Sequence, residues 1–247
     1  RDARHVMWDR DQEQYWNAVA NEYDALYQGE WDALEDSQTA AALARLASPS
    51  AHVLDLGCGT GLGYSLLNPK LAKSHYTGFD VSLGMLARAR VKWRDVRLVK
   101  GSSTDLGMFR SQSFDLIVGL NTAISYMQDA ESMIQEVYRL LRPRGRVLIS
   151  VLGRYALRRI LRFDLRRNER YRTRGSRQCL RAPARTYSKS DLHKLLGTCG
   201  FDTIRVWGQS PFGGLLELPF LWPLNKCIAK AVPNLCCMLN AEAVRRT

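Results

Sequence analysis

A loop that contains four glycines is the clearest candidate for chemistry in this sequence. The glycines stand at alternate positions of residues 57–63, directly after an apolar run, residues 53–56, that contains the acidic Asp55. Glycine is required where the backbone takes a positive φ angle or comes into close contact with a ligand. The pattern therefore predicts a ligand-binding turn between a buried strand and a helix. A glycine-rich turn without a ligand is the alternative.

The glycine spacing excludes two common classes of nucleotide loop. A dinucleotide fold needs glycine at the first, third and sixth loop positions, but the sixth position here is Leu62 or Tyr64, depending on the starting glycine. No Lys-Ser or Lys-Thr pair follows the loop, so it is not a nucleoside triphosphate loop. Asp55 would repel a pyrophosphate and would favour a cationic ligand.

The form acidic-x-Gly-x-Gly-x-Gly of residues 55–61 resembles the first motif of class I S-adenosylmethionine-dependent methyltransferases. This resemblance covers about residues 53–152. It implies that S-adenosyl-L-methionine is the cofactor and that S-adenosyl-L-homocysteine is the product. The residues that it assigns to the cofactor are Tyr23, Asp55, Gly57, Cys58, Gly59, Gly61, Asp80, Val81, Met85, Ser102, Ser103 and Asn121.

Three of these positions also follow from the ends of predicted strands. Asp80 ends the second predicted strand, residues 75–80, where a carboxylate can accept hydrogen bonds from both hydroxyls of a ribose. A carboxylate that only caps the next helix would show the same pattern. Ser102 follows the third predicted strand, where relatives often carry an acid that contacts adenine, and Asn121 follows the fourth, in the loop that faces the methionine part of the cofactor in relatives.

The alternation of strands and helices predicts an α/β fold with parallel pairing and right-handed crossovers. Residues 14–27 and 31–47 have helical patterns, and residues 201–207 and 235–245 read as a sixth and a seventh strand. The resemblance implies that the seventh strand is antiparallel and lies between the fifth and the sixth. We therefore expect a Rossmann-like, seven-stranded, mostly parallel sheet with helices on both faces.

One domain is the expectation for 247 residues of which 46% are hydrophobic. Four parts are predicted within it. They are an N-terminal helical cap (residues 1–48), a cofactor-binding core (51–152), a basic insertion that forms a substrate cap (153–188) and a C-terminal completion of the sheet (189–247).

Positive charge is concentrated in one segment of the chain. Residues 154–185 contain twelve arginines and two acidic residues, and so carry a net charge of +10 out of the chain's +12. The apolar spacing predicts that this segment begins as a basic amphipathic helix, and insertions at this point commonly face the substrate in relatives. Arg158 and Arg162, together with Tyr126 and Tyr187, are therefore candidate substrate-binding residues. A solvated charged face without a partner is the alternative.

The remaining composition predicts a reduced, metal-free, cytoplasmic protein. The six cysteines have no metal-ligand spacing, and no stretch is long and apolar enough to span a membrane. Residues 211–233 are apolar but are interrupted by charges and prolines, which favours a hydrophobic excursion that ends in a short helix.

We expect methyl transfer to an oxygen or nitrogen nucleophile of a small, anionic metabolite or natural-product intermediate. The first alternative is methylation of RNA, particularly transfer RNA, bound by the arginine segment. The second is a non-catalytic cofactor-binding protein that docks on an anionic membrane or a partner. The sequence assigns no catalytic residue. If the acceptor is a hydroxyl that must lose its proton, Tyr126, Tyr187 and His193 lie in the region that the cap and the sheet edge bring together, and a structural role for each is the alternative.

Overall fold

The computed structural model describes residues 3–67, 72, 75–171, 173, 176–177 and 179–247. The α-helices of this part of the chain are α1 (Ala3–Val19), α2 (Glu30–Leu46), α3 (Leu62–Leu67), α4 (Leu83–Lys92), α5 (Ala130–Leu140), α6 (Leu157–Ile160), α7 (Lys189–Thr198) and α8 (Trp222–Ala231). Its strands are β1 (Val53–Leu56), β2 (Tyr76–Asp80), β3 (Arg97–Lys100), β4 (Phe114–Gly119), β5 (Leu141–Gly153), β6 (Asn168–Tyr171), β7 (Ala182–Tyr187), β8 (Phe201–Gln209) and β9 (Met238–Arg245).

The strands form one mostly parallel sheet with helices on both faces, which confirms the predicted Rossmann-like α/β fold. Seven of them follow the order β3-β2-β1-β4-β5-β9-β8, with β9 antiparallel between β5 and β8. The predicted number of strands was too low, because β6 and β7 extend the sheet and bring the described strands to nine. The strand β7 pairs in parallel with the end of β5, at Leu152 and Gly153.

The centre of the sheet is apolar because helices cover both of its faces. All residues of β1 and β2 are buried, including the carboxylates that the loop residues surround. The helix α5 contributes a buried face of apolar residues, Met133, Ile134, Val137 and Leu140, to the same core as β4, β5 and β9. This packing fixes the carboxyl ends of the parallel strands, where the loops meet.

The arginine segment does not form the predicted amphipathic helix. Among the described residues of this segment one helical turn, α6, is present, and the chain then enters a hairpin of β6 and β7. Arginines at four-residue spacing repel one another on a helix. In addition, the buried Arg159 donates to the carbonyl of Arg166 at 3.2 Å and lies 3.5 Å from the carboxylate of Asp164, which holds the chain in a turn.

The first N-terminal helix lies across the carboxyl ends of β2 and β4, and the second packs against α3 and β1. The predicted helix of residues 14–27 is in fact α1, which ends at Val19, followed by a separate 3-10 helix, Asp24–Tyr27. The carboxamide oxygen of Asn17 accepts hydrogen bonds from Ser82 Oγ and from the backbone N–H of Gly84, both at 2.8 Å. These bonds dock α1 onto the start of α4.

The C-terminal apolar stretch contains a 3-10 turn, Pro219–Leu221, and the helix α8. The prolines at the starts of both elements suit positions where no backbone N–H donor is needed. In the described part of the chain, no helix has the length and apolar character that crossing a bilayer requires.

Candidate functional site

The glycine loop begins where β1 ends and is bound to the neighbouring strand. The backbone N–H groups of Gly57 and Cys58 both donate to the carbonyl of Phe79, at 2.8 and 3.1 Å. Gly57 and Gly59 have φ angles of +72° and +54°, in the left-handed region that favours glycine. The loop therefore depends on backbone conformations that other residues adopt only with strain.

Two of the loop glycines serve different purposes. A Cβ atom on Gly61 would lie 2.8 Å from the ring of Trp93, so this glycine lets the loop pack against the end of α4. A Cβ atom on Gly59 would meet nothing within 4 Å, because this side of the loop faces an open cavity. The space beside Gly59 is thus available to a ligand that approaches the backbone closely.

Asp80 lies at the floor of that cavity, at the carboxyl end of β2. Its side chain is 7% exposed and accepts hydrogen bonds from the backbone N–H groups of Gly59, at 2.9 Å, and Ser82, at 2.8 Å. Burial raises the pKa of this carboxyl, and the backbone donors partly oppose the rise. The bond from Gly59 reaches one oxygen and the bond from Ser82 the other, and a carboxylate has about four acceptor positions, so acceptor capacity is left for ligand hydroxyls.

The first cavity is the space above Asp80, with an empty volume of about 710 Å³. It is bounded by the glycine loop, the ends of β2 and β4, and one face of α1. The predicted cofactor residues that line it are Tyr23, Gly57, Gly59, Asp80, Val81, Met85, Ser103 and Asn121.

The other predicted cofactor residues lie behind the cavity wall. Asp55 is 1% exposed beneath the loop and accepts a hydrogen bond from Tyr76 Oη at 2.5 Å. Burial raises the pKa of Asp55 to about 7. Cys58 is also buried, and burial raises the pKa of its thiol. Asp55, Cys58 and Gly61 therefore hold the glycine loop in position by packing behind it, and they do not line the cavity.

Ser102 also lies outside the cavity lining, and an acidic residue from α1, Asp9, lines the cavity beside it. Its hydroxyl donates to the carboxylate of Asp9 at 2.5 Å, and Asp9 lines the first cavity together with Gln12 and Trp16. These three residues from α1 were missed by the sequence reasoning. Their spacing of three and four positions places them on one helical face, which was a usable signal.

A strained loop lies between β4 and the 3-10 helix Ala123–Tyr126. Asn121 and Thr122 have φ angles of +48° and +63°, which is unusual for consecutive residues other than glycine, and most of all for the β-branched threonine. The hydroxyl of Ser125 accepts the N–H of Leu152 at 2.8 Å and so ties the loop to β5. Such strain is typical of positions where a ligand is contacted.

A second cavity adjoins the first, with an empty volume of about 1560 Å³. Trp16, Tyr23, Asn121 and Tyr126 line both cavities. The rings of Trp16 and Tyr126 meet edge to face with centroids 5.0 Å apart. The two cavities are therefore neighbours that share a largely aromatic wall.

The charges around the second cavity are mainly negative. Among its lining residues are three carboxylates, those of Asp32, Glu35 and Glu217, and one arginine, Arg158. Glu35 accepts hydrogen bonds from Trp31 Nε1, at 2.9 Å, and from the Ser210 hydroxyl. Burial raises the pKa of Glu35 from its ordinary value of 4.5 to about 7, against the effect of these hydrogen bonds.

The four candidate substrate residues have different locations. Tyr126 and Arg158 line the second cavity. Tyr187 is buried in the main hydrophobic core, where burial raises the pKa of its hydroxyl, and Arg162 is exposed outside both cavities. His193, on α7, lines neither cavity.

Two arginines of the basic segment are structural. Arg154 and Arg159 are 7% and 6% exposed. Arg154 binds the Asp191 carboxylate at 2.7 Å and the carbonyl of Thr186 at 2.8 Å, which joins β5, β7 and α7. The concentration of positive charge in the sequence therefore overstates the charge that is available to a partner.

Comparison with known proteins identifies the core of this site. Residues 53–145 match a family model described as a methyltransferase domain. Residues 53–145 carry a methyltransferase domain, within the fold that class I S-adenosylmethionine-dependent methyltransferases share. The predicted family and cofactor class are thereby confirmed, and S-adenosylmethionine is the cofactor of this methyltransferase class.

One similar protein is a malonyl-[acyl-carrier protein] O-methyltransferase of Priestia megaterium. It is 34% identical over 103 residues, which are 41% of this chain and 36% of that protein. The match thus spans little more than a third of this curated relative's length, and it leaves the acceptor of this chain open.

Two solved structures share the fold over almost the whole chain. A possible histamine N-methyltransferase of Thermotoga maritima has a TM-score of 0.64 at 18% identity, and the match covers 95% of this chain and 100% of that chain. Phosphoethanolamine N-methyltransferase 2 of Haemonchus contortus, solved with phosphomonomethylethanolamine and S-adenosylhomocysteine, has a TM-score of 0.62 at 18% identity, with 97% and 59% covered. At these identities the likeness concerns the fold alone.

The methyltransferase family match contributes only three residues, Asn121, Thr122 and Tyr126, to the lining of the second cavity. It includes the glycine loop, Asp80 and the Asn121 loop. The α1 and α2 residues of the site, together with Arg158, Ser210 and Glu217, lie outside it. The part of the site that would contact a methyl acceptor is therefore contributed mainly by segments that the family match does not describe.

Proposed function

We propose that this chain transfers a methyl group from S-adenosylmethionine to an oxygen or nitrogen of a small molecule bound in the second cavity. The observation that carries the proposal is that the two cavities adjoin and share four lining residues, Trp16, Tyr23, Asn121 and Tyr126. A methyl donor in the first compartment and an acceptor in the second would meet at this boundary.

The residues of the first cavity fit the cofactor. The open side of Gly59 leaves room for a ligand against the backbone, and Asp80 offers acceptor sites for two ribose hydroxyls. Ser103 and Asp9 provide polar groups for a base, and Met85 provides an apolar surface. Bound there, S-adenosylmethionine would supply a methyl group on a positively charged sulfur.

The chain's own contribution is alignment and exclusion of water. An in-line displacement needs a nucleophile held close to the methyl carbon, and orientation of this kind can supply much of the rate. Trp16 and Tyr126 would shield the boundary between the cavities, and α1 covers the first cavity through its contacts with Ser82, Gly84 and Ser102.

The distribution of charge favours a small acceptor over RNA. Arg158 lines the second cavity, whereas Arg162 is exposed outside it and Arg154 and Arg159 are buried. The expectation that the acceptor is anionic has less support, because three carboxylates line the second cavity with Arg158. The acceptor in this proposal is therefore a small molecule that need not be anionic.

Calorimetry and methyl labelling test the proposal together. S-adenosylhomocysteine should bind and NAD should not, and Asp80→Asn should weaken binding by about 1–3 kcal/mol because a charged acceptor of hydroxyl bonds is lost. Incubation with methyl-labelled cofactor and cell extract should place the label in small molecules. Tight NAD binding, or label found only in RNA, would refute the proposal.

A further inference from the structure

The second cavity combines aromatic and carboxylate groups on one side. The rings of Tyr23 and Tyr27 lie 4.9 Å apart with an interplanar angle of 46°. Both tyrosines line the cavity, and Asp32 and Glu35 line it from the neighbouring helix α2. Aromatic faces attract cations through their π electrons, and carboxylates attract them by charge, so the two observations independently favour a cation.

From this arrangement we infer that the methyl acceptor is a primary or secondary amine, held by Glu35 and the aromatic faces of Tyr23 and Tyr27. The inference rests on the proposed function, because it names the acceptor class for the same site. A carboxylate ligand of the same size would be repelled by three negative side chains, those of Asp32, Glu35 and Glu217. Among the lining residues, one arginine, Arg158, would offset that repulsion.

Glu35 is surrounded by groups that keep its carboxyl poised between the two protonation states. Burial is the main cause of its raised pKa, and the negative charges of Asp32 and Glu217 raise the pKa further. The hydrogen bonds from Ser210 and Trp31 lower it. Arg158 and Cys237 face the same space from α6 and from the residue before β9. An ammonium ion that enters would favour the ionised carboxylate, since an opposite charge stabilises the charged form.

The same carboxylate can take up the proton that an amine must lose. The ammonium proton passes to a Glu35 oxygen, which leaves the nitrogen lone pair free. That nitrogen bonds to the methyl carbon while the carbon–sulfur bond breaks and its electron pair stays on sulfur. A carboxylate with a raised pKa is a better proton acceptor than an ordinary one, and an acceptor pKa near the operating pH suits this role.

Binding of matched probes to the protein with S-adenosylhomocysteine tests the inference. The probes are phenethylamine and hydrocinnamate, which have the same chain length and opposite charge. By calorimetry at about pH 8, the amine should bind at least about tenfold more tightly than the carboxylate, the usual scale of one charge-assisted hydrogen bond. Equal affinity, tighter binding of the carboxylate, or no binding of either probe would overturn the inference.

Variants separate the site from the fold. Glu35→Gln is nearly isosteric and should weaken amine binding about tenfold, while Glu30→Gln, an exposed position on the same helix, should leave it unchanged. Amine affinity should rise with pH through about 7 in the parent protein and be flat there in Glu35→Gln. If Glu35→Gln does not fold, Glu217→Gln should show a smaller loss of amine affinity.

Two outcomes distinguish this inference from the proposed function. If S-adenosylhomocysteine binds and Glu35→Gln leaves amine affinity unchanged, the amine assignment fails and the methyltransferase proposal survives. If S-adenosylhomocysteine does not bind, both fail.

Discussion

The two compartments of the site are built in different ways. In the first, backbone groups near the ends of neighbouring strands hold the key side chain in place. The N–H groups of Gly59 and Ser82 both donate to the carboxylate of Asp80. In the second, side chains converge from separate segments, as in the hydrogen bond between Glu35 and Ser210, which are 175 residues apart in sequence. The first compartment is thus tied to the shape of the fold, and the second can change residue by residue.

This difference explains why the family match identifies the cofactor class but not the methyl acceptor. A methyltransferase domain must keep the left-handed glycines and the ribose acid to bind its cofactor, whatever the acceptor is. The walls of the second cavity come from α1, α2, α6, the turn that contains Glu217, and the start of β9. Fold-level likeness therefore identifies the donor side of the reaction and leaves the acceptor side to the local chemistry.

The largest expected effect concerns the buried arginine of the basic segment. Arg154→Gln removes an ion pair with Asp191 whose arginine side chain is 8% exposed, and it leaves a partly buried carboxylate with its hydrogen bonds from Ser188 but without this ion pair. We expect a loss of about 3–5 kcal/mol in the free energy of unfolding, because breaking one side of a buried pair is strongly destabilising. Urea unfolding measures it, and a loss below about 1 kcal/mol would show that Arg154 is dispensable for the fold.

A second prediction concerns the pH dependence of stability in the second compartment. The folded-state pKa of Glu35 is raised above its ordinary 4.5 to about 7, so the folded protein binds the extra proton between these values and its stability falls as pH rises through that window. Glu35→Gln should therefore stabilise the protein at about pH 8 by up to about 3 kcal/mol and have little effect near pH 4.

Thermal unfolding of both proteins at the two pH values measures this linkage. The gain at high pH must shrink as the pH is lowered through about 7. An equal effect at both pH values would contradict the ionised, buried state of Glu35, and with it part of the account of the second compartment.

A third prediction tests the backbone character of the first compartment. Gly59→Ala and Gly200→Ala place a side chain at φ angles of +54° and +92°, and each should cost about 1–2 kcal/mol of stability. Only Gly59→Ala adds a methyl group to the open side of the first cavity, so it alone should weaken S-adenosylhomocysteine binding, by at least about tenfold. Equal affinity of the two variants for S-adenosylhomocysteine would show that the cofactor does not bind against the glycine loop.

The smallest expected effect is at an exposed arginine. Arg162→Gln lies outside both cavities and should change the free energy of unfolding by no more than about 0.5 kcal/mol. Its effect on amine binding should also be small. A large loss of methyl transfer in this variant would show that the basic segment contacts the acceptor, as its sequence had suggested.

The sequence was most informative where a function depends on local backbone geometry. The four glycines and the position of Asp80 are encoded within about thirty residues, and the parallel pairing follows from the alternation of elements. The place of the last strand was implied only by the family resemblance. Glu35 carries no such local signal, because only the tertiary fold brings α2 beside Ser210 and Glu217 at the second cavity. The arginine segment misled the reasoning, since its charge pattern resembled an exposed helix although Arg154 and Arg159 are buried.

The central claim is that the two compartments form one active site that meets at Trp16, Tyr23, Asn121 and Tyr126. A crystal structure of the protein with S-adenosylhomocysteine tests it most directly. We predict the ribose hydroxyls on Asp80 and the sulfur at the boundary formed by these four residues, facing the second cavity. A ligand whose sulfur points away from that cavity, or that binds elsewhere on the protein, would contradict the account.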